Sequence, residues 1–228
     1  MEKELRNNRW IDVPMSADVW HLLKEQRIAD TYYARGNGDA TQDLDWVEAT
    51  HRNWVHDITD LSDFPYCYVT NGTTDAIHHW LQTEDRQWQY IKGDYEYPNM
   101  IDAGTEIDHS YFIDPHKVLY LSNPFAGDGM FRDVEVDCPV ILDCTYVSAT
   151  AKQRIHIPKN TEQVMFSFSK GFGMIGNRCG LVYTKKPHKT LHLLKEFENW
   201  NYATVKTMDL IMSNFAVDEM FDENRGRQ

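Results

Sequence analysis

The stretch VMFSFSKGFGMIGNRCGLVYT, Val164 to Thr184, decides the reading of this chain. An apolar strand, Val164 to Phe168, runs into Ser169 and Lys170. The chain then turns through Gly171, Gly173 and Gly176, passes Arg178 and enters a second apolar strand, Gly180 to Tyr183. By itself, a lysine after an apolar strand is an ordinary solvated strand end. The turn also spells G-x-G-x-x-G from Gly171 to Gly176. A dinucleotide site would need a helix directly after the third glycine, because that helix N-terminus holds the pyrophosphate. Only Asn177, Arg178 and Cys179 separate Gly176 from Gly180, and no helix fits there. The stretch therefore argues against a nicotinamide or flavin site.

Outward from this stretch, apolar strand-like and helix-like patterns alternate, which predicts an α/β domain with a mostly parallel sheet flanked by helices. Strands are expected at Phe64–Thr70, Trp88–Lys92, Ser110–Ile113, Lys117–Ser122 and Val140–Asp143, besides the two around Lys170. Ser16 is a candidate N-cap for a helix through about Arg27, and Gln42–Trp54 has helical spacing. Thr73–Gln82 and Glu96–Ala103 also read as helices, and one long helical stretch is predicted from about His188 to Ala216. Residues 1–14 read as a polar arm. The expected organisation is an arm and helix over 1–30, a core over 31–187 and a C-terminal helical segment of the same domain over 188–228.

The chain has 228 residues, enough for one large domain, and a formal net charge of -12. That charge argues against a nucleic-acid partner, which needs a basic face, although it leaves room for a local basic patch. Cys67, Cys138, Cys144 and Cys179 lack C-x-x-C spacing and read as reduced, buried thiols. No apolar run approaches membrane-spanning length and the first ten residues lack an apolar signal core, so a soluble, cytoplasmic protein without membrane partners is expected. The histidines have no metal-ligand spacing.

In an open α/β sheet ligands sit beyond the carboxyl ends of the strands, so polar residues that follow apolar runs are the ones to weigh. Gly72, Thr73 and Thr74 lie at a strand-to-helix turn, where amides and hydroxyls suit an anion or simply cap the helix. Tyr97 precedes Pro98, and Asn123 precedes Pro124; both pairs are also common turns. Asp143 ends a buried apolar strand, where a carboxylate is costly unless paired, and Tyr146 follows three residues on.

Taken in order, these motifs resemble the class I/II aminotransferases, fold-type-I enzymes that use pyridoxal 5'-phosphate (PLP). The resemblance covers roughly Phe64 to Thr184. It implies that Lys170 forms an imine with PLP and serves as the catalytic base. It further implies that Ser167, Ser169 and Arg178, with Gly72, Thr73 and Thr74, hold the phosphate. Tyr97 would stack on the pyridine ring, Asp143 would face its nitrogen, and Asn123 and Tyr146 would bond its phenolic oxygen.

Family members continue into a small C-terminal domain carrying an arginine for the substrate carboxylate. Here the only arginines beyond Arg178 are Arg225 and Arg227, so most of that domain is expected to be missing. The resemblance implies a homodimeric aminotransferase acting on a small amino compound and a keto acid. The two adjacent tyrosines Tyr32 and Tyr33 stand where the family has one that crosses to the neighbouring subunit. A PLP-dependent lyase or decarboxylase, and a PLP-binding remnant without catalysis, stay open beside it.

Overall fold

Alternation along the central strands sets the architecture. Val164, Phe166 and Phe168 face one apolar cluster, while Met165 between them faces another. Leu119 and Leu121 likewise oppose Val118 and Tyr120. Both faces of the sheet are thus apolar, as a sheet covered by helices on both sides requires. The computed structural model describes residues 16–25, 40–108, 112–174 and 176–224.

Seven strands are found among the described residues: β1 Tyr66–Thr70, β2 Trp88–Ile91, β3 Thr105–Ile107, β4 Val118–Ser122, β5 Val140–Asp143, β6 Thr161–Ser167 and β7 Gly180–Thr184. They form one sheet in the order β1-β7-β6-β5-β4-β2-β3. β7 runs antiparallel to β1 and β6, and every other pairing is parallel. Consequently β1 points the same way as β4, β5 and β6, and their carboxyl ends share one edge. The predicted mostly parallel α/β sheet is the one observed.

Among the described residues the helices are α1 Ala17–Glu25, α2 Ala40–Trp54, α3 Thr73–Thr83, α4 Tyr97–Ile101, α5 Lys189–Glu196, α6 Tyr202–Asn214 and α7 Glu219–Asn224. Ser16 caps α1 as expected, its hydroxyl accepting from Val19 N at 3.1 Å. On one face of the sheet, Leu44 and Val47 of α2 and Val205, Met208 and Ile211 of α6 join the larger core. On the other, Ala76, Ile77 and Trp80 of α3 pack on Tyr120, Ile141 and Met165. Each fully buried valine, leucine, isoleucine or methionine among them stabilises by about 1.5–3 kcal/mol.

Two expectations change. The single C-terminal helix is two, broken at residues 197–201: Glu198 takes φ 51, and the Asn201 side chain restarts the helix by accepting from Thr204 N. The apolar period continues across the break, which is why the spacing alone showed no interruption. The strand predicted at Ser110–Ile113 lies partly outside the described residues; Phe112 and Ile113 are not in a strand, and the edge strand is Thr105–Ile107. The arm at 1–14, the Tyr32–Tyr33 pair and Arg225 and Arg227 lie outside the described residues.

Close packing fixes the lysine turn. A Cβ at Gly171 would meet Ser148 Oγ at 2.2 Å and the Ser148 carbonyl oxygen at 2.3 Å. Ser148 sits in a short 3-10 turn, Val147–Ala149, directly after Tyr146. Gly171→Ala is expected to cost about 2–3 kcal/mol, because backbone must move to admit the methyl group. A thermal melt should show a midpoint about 4–12 °C lower.

Candidate active site

The carboxyl ends of β1, β5 and β6 and the chain entering β7 deliver side chains to one pocket. Its wall includes Thr73, Thr74, Asp143, Tyr146, Ser167, Ser169, Lys170 and Arg178, all named by the sequence, together with Tyr95 and Thr145, which were not. The segment between Gly176 and Gly180 holds no helix, so the glycine motif is a turn that aims Arg178.

Arg178 organises an anion cradle. Its Nη1 donates to Ser169 Oγ at 3.1 Å and its Nη2 to Thr74 Oγ1 at 3.2 Å. Ser167 Oγ lies 3.1 Å from Ser169 Oγ and also accepts from Ser169 N. Gly72 does not line the pocket, yet it makes room for the cradle. It sits at φ 82, and a Cβ there would fall 2.7 Å from Arg178 Nη2. The backbone behind the guanidinium is held by Thr204, whose hydroxyl donates to Arg178 O at 3.1 Å.

Asp143 is 2% exposed and fully engaged. Oδ1 accepts from Thr145 N at 2.9 Å and from the Thr145 hydroxyl at 2.5 Å, and Oδ2 accepts from Tyr120 OH at 2.7 Å. The Thr145 hydroxyl in turn lies 2.8 Å from Thr73 Oγ1, which ties the carboxylate to the first turn of α3. Burial pushes the Asp143 carboxyl above its ordinary range despite these donors. A positively charged N–H presented from the pocket would supply the missing countercharge.

Two expected residues stand elsewhere. Asn123 is buried away from the pocket wall: Oδ1 accepts from Arg132 N and Nδ2 donates to Arg132 O, each at 3.0 Å, so its amide clamps the loop after β4. Tyr97 opens α4 and stacks on His78, with rings 5.7 Å apart and the hydroxyl 2.8 Å from His78 Nε2. The aromatic side chain on the pocket is Tyr95, two residues earlier. The Tyr-Pro pair singles out Tyr97 in the sequence, whereas Tyr95 is placed by Asp94 through its bond across to β4.

Asp94 explains that placement. It is 2% exposed. Its carboxylate accepts from Tyr95 N at 2.7 Å, from Ser122 N at 3.0 Å and from the Ser122 hydroxyl, pinning the Tyr95 loop to the end of β4. Burial pushes the Asp94 carboxyl up to about 6, with nearby Asp143 adding to the rise. A carboxyl raised in the folded state binds its proton more tightly there than when unfolded. Its contribution to stability is therefore complete below the unfolded value and is lost as pH rises through about 6. Relative to Asp94→Asn, which cannot titrate, the wild type should gain melting temperature as pH falls from about 7 to about 4. A constant difference across that range would refute the assignment.

Arg178 with its hydroxyl partners, a lysine and a buried carboxylate meet at the carboxyl edge of this sheet. The chain has the fold of the large domain of the fold-type-I PLP-dependent enzymes. Substrate-bound BacF from Bacillus subtilis superposes with TM-score 0.64 at 14% identity, over 94% of this chain and 67% of that one. L-threonine-O-3-phosphate decarboxylase from Porphyromonas gingivalis gives 0.60 at 17%, over 90% of this chain and 71% of that one. Histidinol-phosphate aminotransferase from Sinorhizobium meliloti, in complex with PLP, gives 0.56 at 12%, over 88% and 62%. Against apo-BacF the chain spans 65% of the other's length. No protein-family model and no curated protein matches the sequence.

All four cysteines are free and buried. Among the described residues, no helix is long and apolar enough to cross a membrane, and no group of three or more His, Cys, Asp or Glu is placed to hold a metal ion.

Proposed function

We propose that this protein binds PLP in the Arg178 pocket and works as an aminotransferase-like enzyme on a small amino compound, with a keto acid as acceptor. The observation that carries this reading is the meeting of Asp143, at the end of β5, with Lys170 and Arg178, from the two ends of the β6–β7 turn, in one pocket. PLP carries a phosphate, a ring nitrogen and an aldehyde, and when bound it supplies an electron-accepting ring. The residues fit that pattern. Arg178, Ser169, Thr74 and Ser167 form a cradle for the phosphate, with Gly72 leaving space behind it. Asp143, oriented by Tyr120 and Thr145, would be the partner for the ring nitrogen and would favour its protonated form. Tyr95, which lines the pocket where Tyr97 does not, would cover the ring, and Tyr146 would be a donor to its phenolic oxygen. Lys170 would supply the amine that holds the cofactor and the base for the proton at the substrate carbon.

The chain's own residues support a PLP site more strongly than they support one reaction, since site chemistry decides reaction type on a shared fold. One of the structural neighbours is a decarboxylase. Purified protein loaded with PLP should therefore be mixed with a panel of amino compounds and keto acids. Amino transfer that depends on the keto acid supports the proposal. Release of carbon dioxide without a keto acid would make it a decarboxylase, and no response from any amine would make it a binding remnant. A homodimer in the cytoplasm is the expected working form; sedimentation of PLP-loaded protein as a monomer would refute the dimer.

A further inference from the structure

The sheet has a second polar edge, at the opposite end of the parallel strands. There a groove of about 760 Å³ lies between the sheet, the end of α3 and the loop leading into α5. Its floor crosses three strands in register, through Ile141, Gln163 and Thr184, with Thr161 two residues before Gln163 on the same face of β6. Gln163 and Ser167 are four residues apart on β6, about 13 Å along the strand, so the groove is separate from the Arg178 pocket.

The floor residues are unusual in their bonding. Farther along this face of β6 comes Met165, packed in the apolar core, yet Thr161 and Gln163 are polar and 0% and 3% exposed. Thr161 Oγ1 and Gln163 Nε2 have no hydrogen-bond partner among the described residues. Buried donors left unmade cost stability, and valine and leucine or methionine would occupy the same space without that cost. The rim is basic in a chain of net charge -12. Arg86, Lys159, Lys185, Lys186 and Lys189 outnumber Glu84, Asp137 and Glu162 there, and Arg86 is tied to both glutamates. Lys186 and Lys189 make no ion pair among the described residues and are exposed at the groove.

We propose that this groove is a second binding site, for a small-molecule oxyanion such as a phosphate compound. Gln163 and Thr161 donate to the oxyanion from the floor, and Lys186 and Lys189 supply the countercharge from the rim. Neither the cofactor nor its chemistry is needed for this site.

The test is thermal melting with inorganic phosphate against sodium chloride at matched ionic strength. It is run on PLP-loaded protein, whose cradle is filled, and on Arg178→Ala, whose cradle is removed. The second preparation keeps the outcome independent of PLP binding. Phosphate at roughly ten times its dissociation constant should raise the midpoint by about 3–6 °C in both. Gln163→Leu and the double variant Lys186→Ala/Lys189→Ala should each abolish the rise. Without phosphate, Gln163→Leu should melt at or above the wild type, since leucine leaves no unpaired amide. Should that variant fail to fold, the surface lysine pair carries the test alone. A rise matched by sodium chloride, no rise at all, or a rise that survives in the lysine pair would overturn the proposal.

Discussion

Lys170→Ala is expected to abolish the near-visible absorbance band of PLP-loaded protein and its fixation by borohydride, while the protein stays folded. The lysine leaves the sheet at the carboxyl end of β6 and stands on the pocket wall beside Ser169 and Arg178. An alanine there removes the only lysine that the pocket wall contains among the described residues. Loss of its acid–base role alone should cost about 10²–10⁴-fold in any amine-dependent turnover. The decisive measurement is a spectrum before and after borohydride, with mass spectrometry of the reduced protein to locate the added mass. A band that persists in the variant, fixed at another lysine, would remove Lys170 from the centre of the site. A wild-type protein that is folded yet shows no band would remove the PLP reading itself.

The second large effect is expected at Arg178. Arg178→Ala should weaken PLP binding by about 100-fold or more, since it withdraws a charge-assisted donor pair from the phosphate cradle. The turn should survive, because Thr204 holds the backbone carbonyl rather than the side chain. Equilibrium titration of PLP into the two proteins measures the effect, and thermal melts without cofactor control for folding. Arg178→Lys is expected to recover only part of the affinity: the guanidinium reaches Ser169 and Thr74 with two separate nitrogens, and a single ammonium cannot repeat that fork. Equal affinity in wild type and Arg178→Ala would mean that the phosphate binds elsewhere.

The two variants probe different links. Lys170 reports on chemistry and Arg178 on affinity, while Gly171→Ala tests the packing that presents both. The Gly171 backbone lies against Ser148, so the lysine turn and the segment carrying Tyr146 are fitted to each other. Gly180 is constrained from the other side, where a Cβ would approach Gly72 Cα at 2.8 Å. Glycines in this stretch are therefore packing requirements at 171 and 180, and Gly173 takes a positive φ, at 62.

Local pattern determined the central strands, most of the covering helices and the class of the fold, but not the edge strand Thr105–Ile107 or the break at 197–201. The period of two in Val164–Phe168 and the apolar runs at Val118–Ser122 and Val140–Asp143 bury side chains on both faces, and only a helix-covered, mostly parallel sheet satisfies that. Residues bound to strand ends were legible for the same reason: Asp143, Ser167, Lys170 and Arg178 lie next to apolar runs, so their place at the edge follows from the strand itself. Tertiary structure alone decided where loop side chains turn. Nothing local distinguishes Tyr95 from Tyr97, because the choice rests on Asp94 reaching across to Ser122 on another strand. Asn123 faces Arg132 instead of the pocket through contacts nine residues apart, and the unpaired Gln163 meets its groove only once α3 and the loop before α5 are packed on the sheet. Strand periodicity is a short-range property of the chain, whereas the aim of a polar side chain depends on partners brought near only by folding.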